Sequence, residues 1–322
     1  MHSMTILAAI SISSALAASA HAADAAAGYP DRPVRLVIGS APGSGPDIVA
    51  RVLSERLYKS WSQRIVVDSR PGVAGAISAD IVARAASDGY TWLMLTSQLF
   101  IATKVYKDLK FDLDRDFASV ALIGTVPFVL NVHPQIRAKS VSELIQLSKE
   151  TQLRYGSAGT GGGEHLCMVY FLHMEGTQML HVPYKGIAQA LADVAANEIH
   201  ITFAVVPAAL PMVQGGRVRA LGVTSLKRAP LLPDIPSISE SVPGFETFGW
   251  YSIVAPKGTP VAVLDKVSAE IAKAVKEPEF GDVLRVLGID IVGGSRAELD
   301  AFRRSEGKRL SDIVSTANLE VK

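Results

Sequence analysis

Short apolar runs alternate with amphipathic segments along most of the chain. The apolar run 34–38 is followed by a glycine-rich turn, and apolar residues then recur at spacings of three and four over 48–57. A short apolar run is typical of a buried strand, and that spacing is typical of a helix with one apolar face. The same unit is repeated over 65–85, and a further strand is expected at 91–95. Strands that alternate with helices predict an α/β fold with mostly parallel sheets covered on both faces.

Capping residues mark several helix starts. Asp47 is expected to be the N-cap of the first helix, and Ser140 with Glu143 has the spacing of a capping box. Such a pair satisfies two of the backbone N–H groups that a helix leaves unpaired at its start. A second box, Ser295 with Glu298, predicts another helix near the end of the chain.

The composition narrows the class of protein. The chain has 322 residues, 48% hydrophobic and 20% charged, so it should fold and is large enough for two domains. Its 32 basic residues nearly balance its 31 acidic residues, which gives no reason to expect nucleic acid or a membrane surface as partner. The single cysteine, Cys167, excludes an internal disulfide, a multi-cysteine zinc site and an iron–sulfur cluster. We expect it to be a buried small hydrophobe.

The first 22 residues are expected to be a secretory signal peptide. Residues 5–20 are small or apolar and carry no charge, as in the apolar core of such a signal. Ala20 and Ala22 flank His21 at the spacing of a cleavage site, so cleavage is expected after Ala22, with Ala20 as the alternative. Later runs are too short or too charged to span a membrane. We therefore expect an exported protein, which would be periplasmic in a bacterium.

Motifs of the common enzyme classes are missing. The sequence has no Walker A motif, no Gly-x-Ser-x-Gly elbow and no His-Glu-x-x-His zinc helix. Residues 43–45 and 159–163 resemble parts of a dinucleotide-binding loop, but neither is followed in register by the acidic residue that binds a ribose. We therefore expect no enzyme activity, no cofactor and no metal site.

Three glycine- and serine-rich turns, 40–47, 69–75 and 157–165, each lead from a predicted strand into a predicted helix. Free backbone N–H groups and the helix dipole favour an anion at such a position, and glycine lets a ligand approach the main chain. Any one turn could be a simple connection. Three in one chain favour a ligand site, because open α/β sheets bind ligands at the carboxyl ends of their strands.

Ionisable side chains near these turns allow more than one interpretation. His165 could donate a hydrogen bond to a ligand, or it could cap and pack at the helix start. Arg70 could neutralise a carboxylate, but hydrogen bonds to neighbouring loop carbonyls are the favoured role. Glu164 could repel an anion or receive an ammonium group, and we expect it to point to solvent as a first-turn acid.

Longer motifs, in order and spacing, resemble one protein family over nearly all of the mature chain. They are 29–36 (YPDRPVRL), 41–47 (APGSGPD), 69–72 (SRPG), 88–90 (DGY), 115–117 (RDF), 181–186 (HVPYKG), 232–236 (LPDIP) and 255–260 (APKGTP). The family is that of the periplasmic solute-binding proteins of tripartite tricarboxylate transporters, also called Bug proteins.

The resemblance implies a type II periplasmic-binding-protein-like fold, with two α/β lobes joined by two crossovers and a ligand cleft between them that closes by a hinge. Lobe one would comprise 29–127 and 251–322, and lobe two 128–250. Family ligands are small carboxylates held largely by backbone amides, hydroxyls and water, without a cofactor. The turns and the resemblance together point to ligand contacts at Ser40, Ala41, Pro42, Gly43, Ser44, Gly45, Asp47, Ser97, Ser157, Ala158, Gly159, Thr160, Gly161, His165, Tyr184, Ala204 and Pro207.

The sequence also departs from the family pattern in lobe two. Ala158, Ala204 and Ala208 stand where relatives usually have hydroxyl or carboxylate groups. A buried ligand group left without a hydrogen bond is penalised, so these alanines predict a preference for a carboxylate with an apolar body over citrate or aspartate.

The leading hypothesis is a periplasmic solute-binding protein that captures a small organic carboxylate for the membrane subunits of a tripartite transporter. A second hypothesis is a component that presents its ligand to the sensor kinase of a two-component system. The third is an exported hydrolase using Ser157 or Ser44 with His165, although the sequence supplies no acid to orient the histidine. We expect a monomer that binds no nucleic acid.

Overall fold

The computed structural model describes residues 26–316. The expected signal peptide and its cleavage sites lie outside this range and stay predictions. Over the described range, no helix combines the length and the apolar character that a membrane crossing requires.

A mixed sheet forms the centre of the molecule. Its ten strands within residues 26–316 are β1 (Val34–Ile38), β2 (Ile65–Ser69), β3 (Thr91–Thr96), β4 (Phe117–Val132), β5 (Arg154–Ser157), β6 (Leu180–Pro183), β7 (Ile201–Val205), β8 (Arg219–Val223), β9 (Phe248–Pro256) and β10 (Asp290–Gly294). The order along the main path is β2-β1-β3-β9-β4-β7-β5-β6, and both β8 and β10 pair with β4 off this path.

Helices cover the sheet on both faces. They are α1 (Gly45–Trp61), α2 (Ala76–Ala83), α3 (Ser97–Val105), α4 (Leu113–Asp116), α5 (Val141–Glu150), α6 (Gly163–Glu175), α7 (Ile187–Ala195), α8 (Val206–Gln214), α9 (Val261–Ala274), α10 (Pro278–Val286) and α11 (Arg296–Thr316). Leu36 and Ile38 of β1 pack with α1 and α9, whereas Val37 between them packs with α2, α3 and α11. This alternation is the reason that β1 is an unbroken apolar run.

Strand β4 joins two lobes of the sheet. It spans 16 residues, pairing with β9 from Phe117 to Pro127 and with β7 from Phe128 to Val132. Strands β1, β2 and β3 lie beyond β9, and β5 and β6 lie beyond β7. The first group, with α1 to α3, is the first lobe, and the second group, with α5 to α8, is the second lobe.

The sheet is mixed. The alternation of strands and helices predicted a mostly parallel sheet, and that prediction is wrong. The outer strands of each lobe are parallel, with β1 between β2 and β3, and β5 between β6 and β7. Strands β4 and β9 run antiparallel to each other, and β4 is also antiparallel to β7, β8 and β10. The reason is topological, because β4 carries the chain towards the second lobe and β9 follows its return to the first.

The first helix begins earlier than the sequence predicted. Helix α1 starts at Gly45 with Ser44 as its N-cap and Pro46 in its first turn. Proline fits there because its missing N–H would be unpaired at a helix start in any case. Asp47 therefore lies inside the helix, and its expected role as N-cap is wrong.

Both predicted capping serines accept a hydrogen bond at a helix start. Ser140 Oγ accepts from the Glu143 N–H at 3.1 Å, and Ser295 Oγ accepts from the Glu298 N–H at 3.4 Å. Glu298 in turn accepts from the Ser295 N–H, whereas Glu143 accepts from the N–H of Lys139, one residue before the N-cap. The capping box of Ser295 and Glu298 is therefore complete. In the box of Ser140 and Glu143, the glutamate accepts from the residue before the N-cap instead of from the N-cap itself.

Candidate ligand-binding cleft

A cavity of about 540 Å³ lies between the two lobes. The first lobe contributes residues around Ser40, Gly72 and Ser97, and the second lobe contributes residues around Glu164 and Lys185. Parts of β4 and β9, which run between the lobes, complete the wall. The cavity therefore lies where a cleft between two closing lobes is expected.

Helix starts from both lobes surround this cavity. Five of the described helices begin there, and the lining residues at their starts are Ser44 for α1, Ser97 for α3, Gly163 for α6, Ile187 for α7 and Val205 for α8. Four of these starts have no side-chain cap, and at the other, α3, Thr96 accepts from the Leu99 N–H. Uncapped starts leave backbone N–H groups free for a ligand, and the helix dipoles favour negative charge. The cavity is thus suited to an anion.

The three turns singled out in the sequence all reach this cavity. The lining residues are Ser40, Ala41, Ser44 and Pro46 from the first turn, Pro71, Gly72 and Ala74 from the second, and Ala158, Gly163 and Glu164 from the third. Ser97, the expected contact at the end of β3, also lines it, together with its neighbours Thr96 and Gln98.

In the first turn, several expected contact residues shape the backbone. Gly43 has a φ of +81°, and its N–H donates to Asp47 Oδ2 at 2.9 Å. Asp47 also pairs with Arg51 at 3.0 Å, and this hydrogen bond with that from Gly43 holds the pKa of the Asp47 carboxyl below its usual value. Gly45 gives room to the Tyr251 hydroxyl, which would lie 3.0 Å from a Cβ at this position. The expected contacts outside the cavity lining in this turn are Pro42, Gly43, Gly45 and Asp47.

The third turn is stabilised by a stack of aromatic rings outside the cavity lining. His165 Nδ1 accepts from the Gly161 N–H at 3.0 Å, and its ring centre lies 4.1 Å from that of His181. His181 Nε2 lies 2.8 Å from Ser157 Oγ, and its ring stacks on Tyr155 at 4.9 Å. Burial, aided by His181, lowers the pKa of His165 to about 4, so the neutral ring can accept a hydrogen bond. Of the two roles left open for His165, this geometry matches packing at the helix start.

Other expected contacts lie next to residues that line the cavity. The Tyr184 hydroxyl donates to Asp193 at 2.7 Å, and Ala204 is fully buried in an apolar cluster. Lys185 and Val205, the next residues along the chain, line the cavity instead. In β7, Ala204 and Val205 differ in this way because successive residues of a strand point to opposite faces of the sheet. The remaining expected residues outside the lining are Ser157, Gly159, Thr160, Gly161, His165 and Pro207.

The wall provided by β4 and β9 was not expected from the sequence. Val126 and Phe128 of β4 and residues 249–251 of β9 line the cavity. These segments are apolar runs, from which periodicity predicts only core. Lys185 did carry a signal, because it is a cation in the turn before α7 and lies in the 181–186 motif.

The charged side chains that line the cavity are Glu164 and Lys185. Glu164 is half-buried on the wall, which differs from its expected exposure to solvent, and burial raises the pKa of its carboxyl. Tyr251 lines the same space, and burial, with a smaller contribution from Glu164, raises its pKa to about 12. Within residues 26–316, no cluster of three or more histidine, cysteine or acidic residues is arranged to hold a metal ion.

Of the three alanines expected to make the second-lobe wall apolar, one lines the cavity. Ala158 lines the cavity, but Ala204 and Ala208 pack in and against the apolar cluster beside β7. The predicted preference for an apolar-bodied acid therefore depends on Ala158 alone.

The family model for the receptor of tripartite tricarboxylate transporters matches residues 49–319. The chain belongs to this family. The resemblance found in the sequence motifs is confirmed, and so is the α/β fold with two lobes and a cleft. Members of this family are solute-binding proteins and not enzymes.

Similar proteins span most of this receptor. A UPF0065 protein from the tcbD-tcbE intergenic region of Pseudomonas sp. strain P51 is 37% identical over 290 residues, covering 89% of this chain and 86% of its own. The R. palustris protein Rpa4515, solved with adipate, is 33% identical with a TM-score of 0.81, covering 90% of this chain and 98% of its own. MatC from Rhodopseudomonas palustris, with bound malate, is 27% identical with a TM-score of 0.77, covering 89% of this chain and 100% of its own.

Proposed function

We propose that this receptor captures a small organic carboxylate in the cleft and presents it to the membrane subunits of a tripartite transporter. The observation that carries the proposal is the meeting of five helix starts from both lobes at one cavity, with Lys185 in the same wall. Adipate and malate, the ligands of two structural relatives, are both dicarboxylates and support this ligand class.

We further propose that the lobes close on the ligand about two crossovers. Strand β4 changes partners between Pro127 and Phe128, which supports a crossover at that point. Strand β9 pairs with β4 on the first-lobe side from Phe248 onward, which supports a second crossover near Thr247, a few residues before the position expected from the sequence. Closure would bring the two sets of helix starts together around the ligand.

Binding is proposed to occur without turnover. Ser157 is fully buried and contacts His181 instead of His165, and the Ser44 hydroxyl donates to the Ala41 carbonyl. A catalytic serine has to reach the substrate carbonyl while hydrogen-bonded to its base. The arrangement at these two serines does not support the hydrolase hypothesis.

Calorimetric titration of the mature protein with adipate, malate, citrate and benzoate tests the binding proposal. We expect one ligand per chain, recovered chemically unchanged after prolonged incubation. Intrinsic fluorescence should respond as well, because Trp250 belongs to the cavity wall and its buried ring packs against Phe100 and Phe302 directly behind it. Trp250→Phe should lose most of this response, whereas Trp61→Phe, outside the lining, should keep it. Binding of no carboxylate, or steady release of a product, would contradict the proposal.

Uptake measurements separate transport from sensing. A strain that lacks the receptor should lose uptake of the labelled ligand if the receptor serves a transporter. Uptake that persists while induction by the ligand is lost would favour the sensor hypothesis.

We also propose export with cleavage after Ala22 and action as a monomer, since residues of one chain form both walls of the cavity. N-terminal sequencing of periplasmic protein should begin at Ala23, and light scattering should give the mass of one chain. An uncleaved Met1 or a stable dimer would contradict these two points.

A further inference from the structure

The position of Glu164 is unusual for a cavity that attracts anions. Glu164 is the second residue of α6 and lies on the cavity wall. A carboxylate there competes with a bound anion for the same helix start and repels it. A solute-binding protein for simple carboxylates gains nothing from that arrangement.

Glu164 also has no partner of opposite charge. Within residues 26–316, the side chains of Glu164 and Lys185 form no salt bridge and no hydrogen bond to another residue, although both line the cavity. Burial raises the pKa of the Glu164 carboxyl, while a hydrogen bond from its own backbone amide opposes that rise. An unpaired, partly desolvated carboxyl is stabilised when a cation binds beside it.

The charges of the lining side chains sum to zero. Lys185 and the helix starts supply positive potential, and Glu164 supplies one negative charge. A ligand that complements this wall has a carboxylate and, at a separate position, a cationic group. A simple dicarboxylate would place negative charge in the cavity with no counterpart for Glu164.

We propose that Glu164 makes the cleft selective for carboxylates that also carry a protonated amine, with the ammonium against Glu164 and a carboxylate towards Lys185 and the helix starts. This inference rests on the proposed function and specifies the ligand class of the same site. It reverses the preference that the alanines predicted.

The test compares acids that differ at one position of the same carbon skeleton. Succinate, malate and aspartate carry hydrogen, hydroxyl and ammonium, and the pairs glutarate with glutamate and adipate with 2-aminoadipate extend the length. Calorimetry on the wild-type mature protein should show that the amino acid of the best-fitting length binds at least about tenfold more tightly than its unsubstituted partner. If malate gains as much over succinate as aspartate does, Glu164 recognises a hydrogen-bond donor and the inference is overturned.

The variant Glu164→Gln removes the charge and keeps the shape. We expect the amino acid to lose at least about tenfold in affinity, while its unsubstituted partner binds as well as before or more tightly. Glu175→Gln, at the far end of the same helix and outside the cavity lining, is the matched control and should leave all dissociation constants within about twofold. The wild-type series decides the question even if the Glu164 variant is unstable.

The outcomes separate the two proposals. Tighter binding of the unsubstituted acids than of their amino partners would overturn the inference and leave carboxylate binding intact. Binding of none of these acids would overturn the proposed function, and the inference with it.

Discussion

The turn before α1 and the turn before α6 share one backbone arrangement in two different settings. In the first lobe, Gly43 has a φ of +81° and donates its N–H to Asp47, four residues later. In the second lobe, Gly161 has a φ of +78° and donates its N–H to His165, again four residues later. Both turns lead into a helix at the cavity. The lobes therefore use the same local solution to present a helix start to a ligand.

The two acceptors differ in charge and surroundings. Asp47 is an ionised carboxylate paired with Arg51, whose side chain is largely exposed. His165 is neutral and buried against the rings of His181 and Tyr155. The comparison shows that one hydrogen-bond register can be maintained by an ion pair with an exposed arginine or by a stack of buried rings. The two turns should then differ in stability, pH dependence and sensitivity to salt.

The largest effect is expected from removing the ring acceptor, His165. His165→Ala deletes a packed ring and leaves the Gly161 N–H without its partner, which should lower the free energy of unfolding by about 2–3 kcal/mol. Asp47→Ala leaves the Gly43 N–H without its partner but deletes no stacked ring, so it should cost about 1 kcal/mol. Urea unfolding at pH 7.5 measures both, and equal losses would contradict the contrast between the turns.

Acid should weaken the second-lobe turn before the first-lobe turn. The pKa of His165 falls from 6.5 to about 4 on folding, so the unfolded chain binds more protons and stability falls as the pH drops through this window. The loss due to His165 should reach about 2 kcal/mol between pH 7 and pH 5. His181, whose pKa burial also lowers, acts in the same direction. Asp47, with a pKa lowered from 3.8, contributes stability that is lost only at more acidic pH.

Urea unfolding at pH 7 and pH 5 checks this pH dependence in the wild type and in His165→Gln. Glutamine offers a hydrogen-bond acceptor but does not titrate, so the variant should lose less stability over the same range. An unchanged pH dependence in the variant would show that other groups cause the effect.

The two glycines should be equally sensitive to a side chain. Gly43→Ala and Gly161→Ala place a Cβ on a backbone with φ near +80°, which costs roughly 1–2 kcal/mol whatever the space around it. Neither glycine lines the cavity, so weaker ligand binding would follow from a distorted turn. Gly186→Ala is the matched control, because Gly186 precedes α7 with extended backbone and open space. Thermal unfolding and calorimetry measure both effects, and a control as damaging as the other two would refute the explanation from φ.

The smallest effect is expected at Arg51. Arg51→Gln removes an exposed partner of Asp47, and solvent screens most of that interaction. Its unfolding midpoint should shift less than that of the other turn variants, and added salt should shrink the shift further. Arg84→Gln, which breaks a pair of the same i,i+4 spacing with the more exposed Asp80, is the control, and its shift should be no larger.

The sequence predicted the class of fold, the family and the three turns, and the structure brings these turns to one cavity. It placed individual contacts less well. The expected contacts that line the cavity are Ser40, Ala41, Ser44, Ser97 and Ala158. Residues that stabilise the turns by hydrogen bonds, such as Asp47 and His165, were also expected as contacts but lie outside the lining. A turn signal depends on glycine, serine and helix-start chemistry, and it does not tell which side of the turn faces a ligand.

The sequence by itself determined the features that depend on neighbours along the chain. Helix starts, capping serines and left-handed glycines are local, because they are decided by residues within about one helical turn of each other. These signals predicted the ligand-facing turns, whereas the two lobes were implied by the resemblance to the family.

Only the tertiary structure decided which charges and rings face the cleft. Tyr251 reaches the wall because β9 pairs with β4 in a register that sets it opposite Gly124. Glu164 lines the cavity, and not the solvent, because the first lobe lies across from the start of α6. Which side chains point into the cleft depends on contacts between residues about a hundred or more positions apart. A pattern of neighbouring residues carries no information about such contacts.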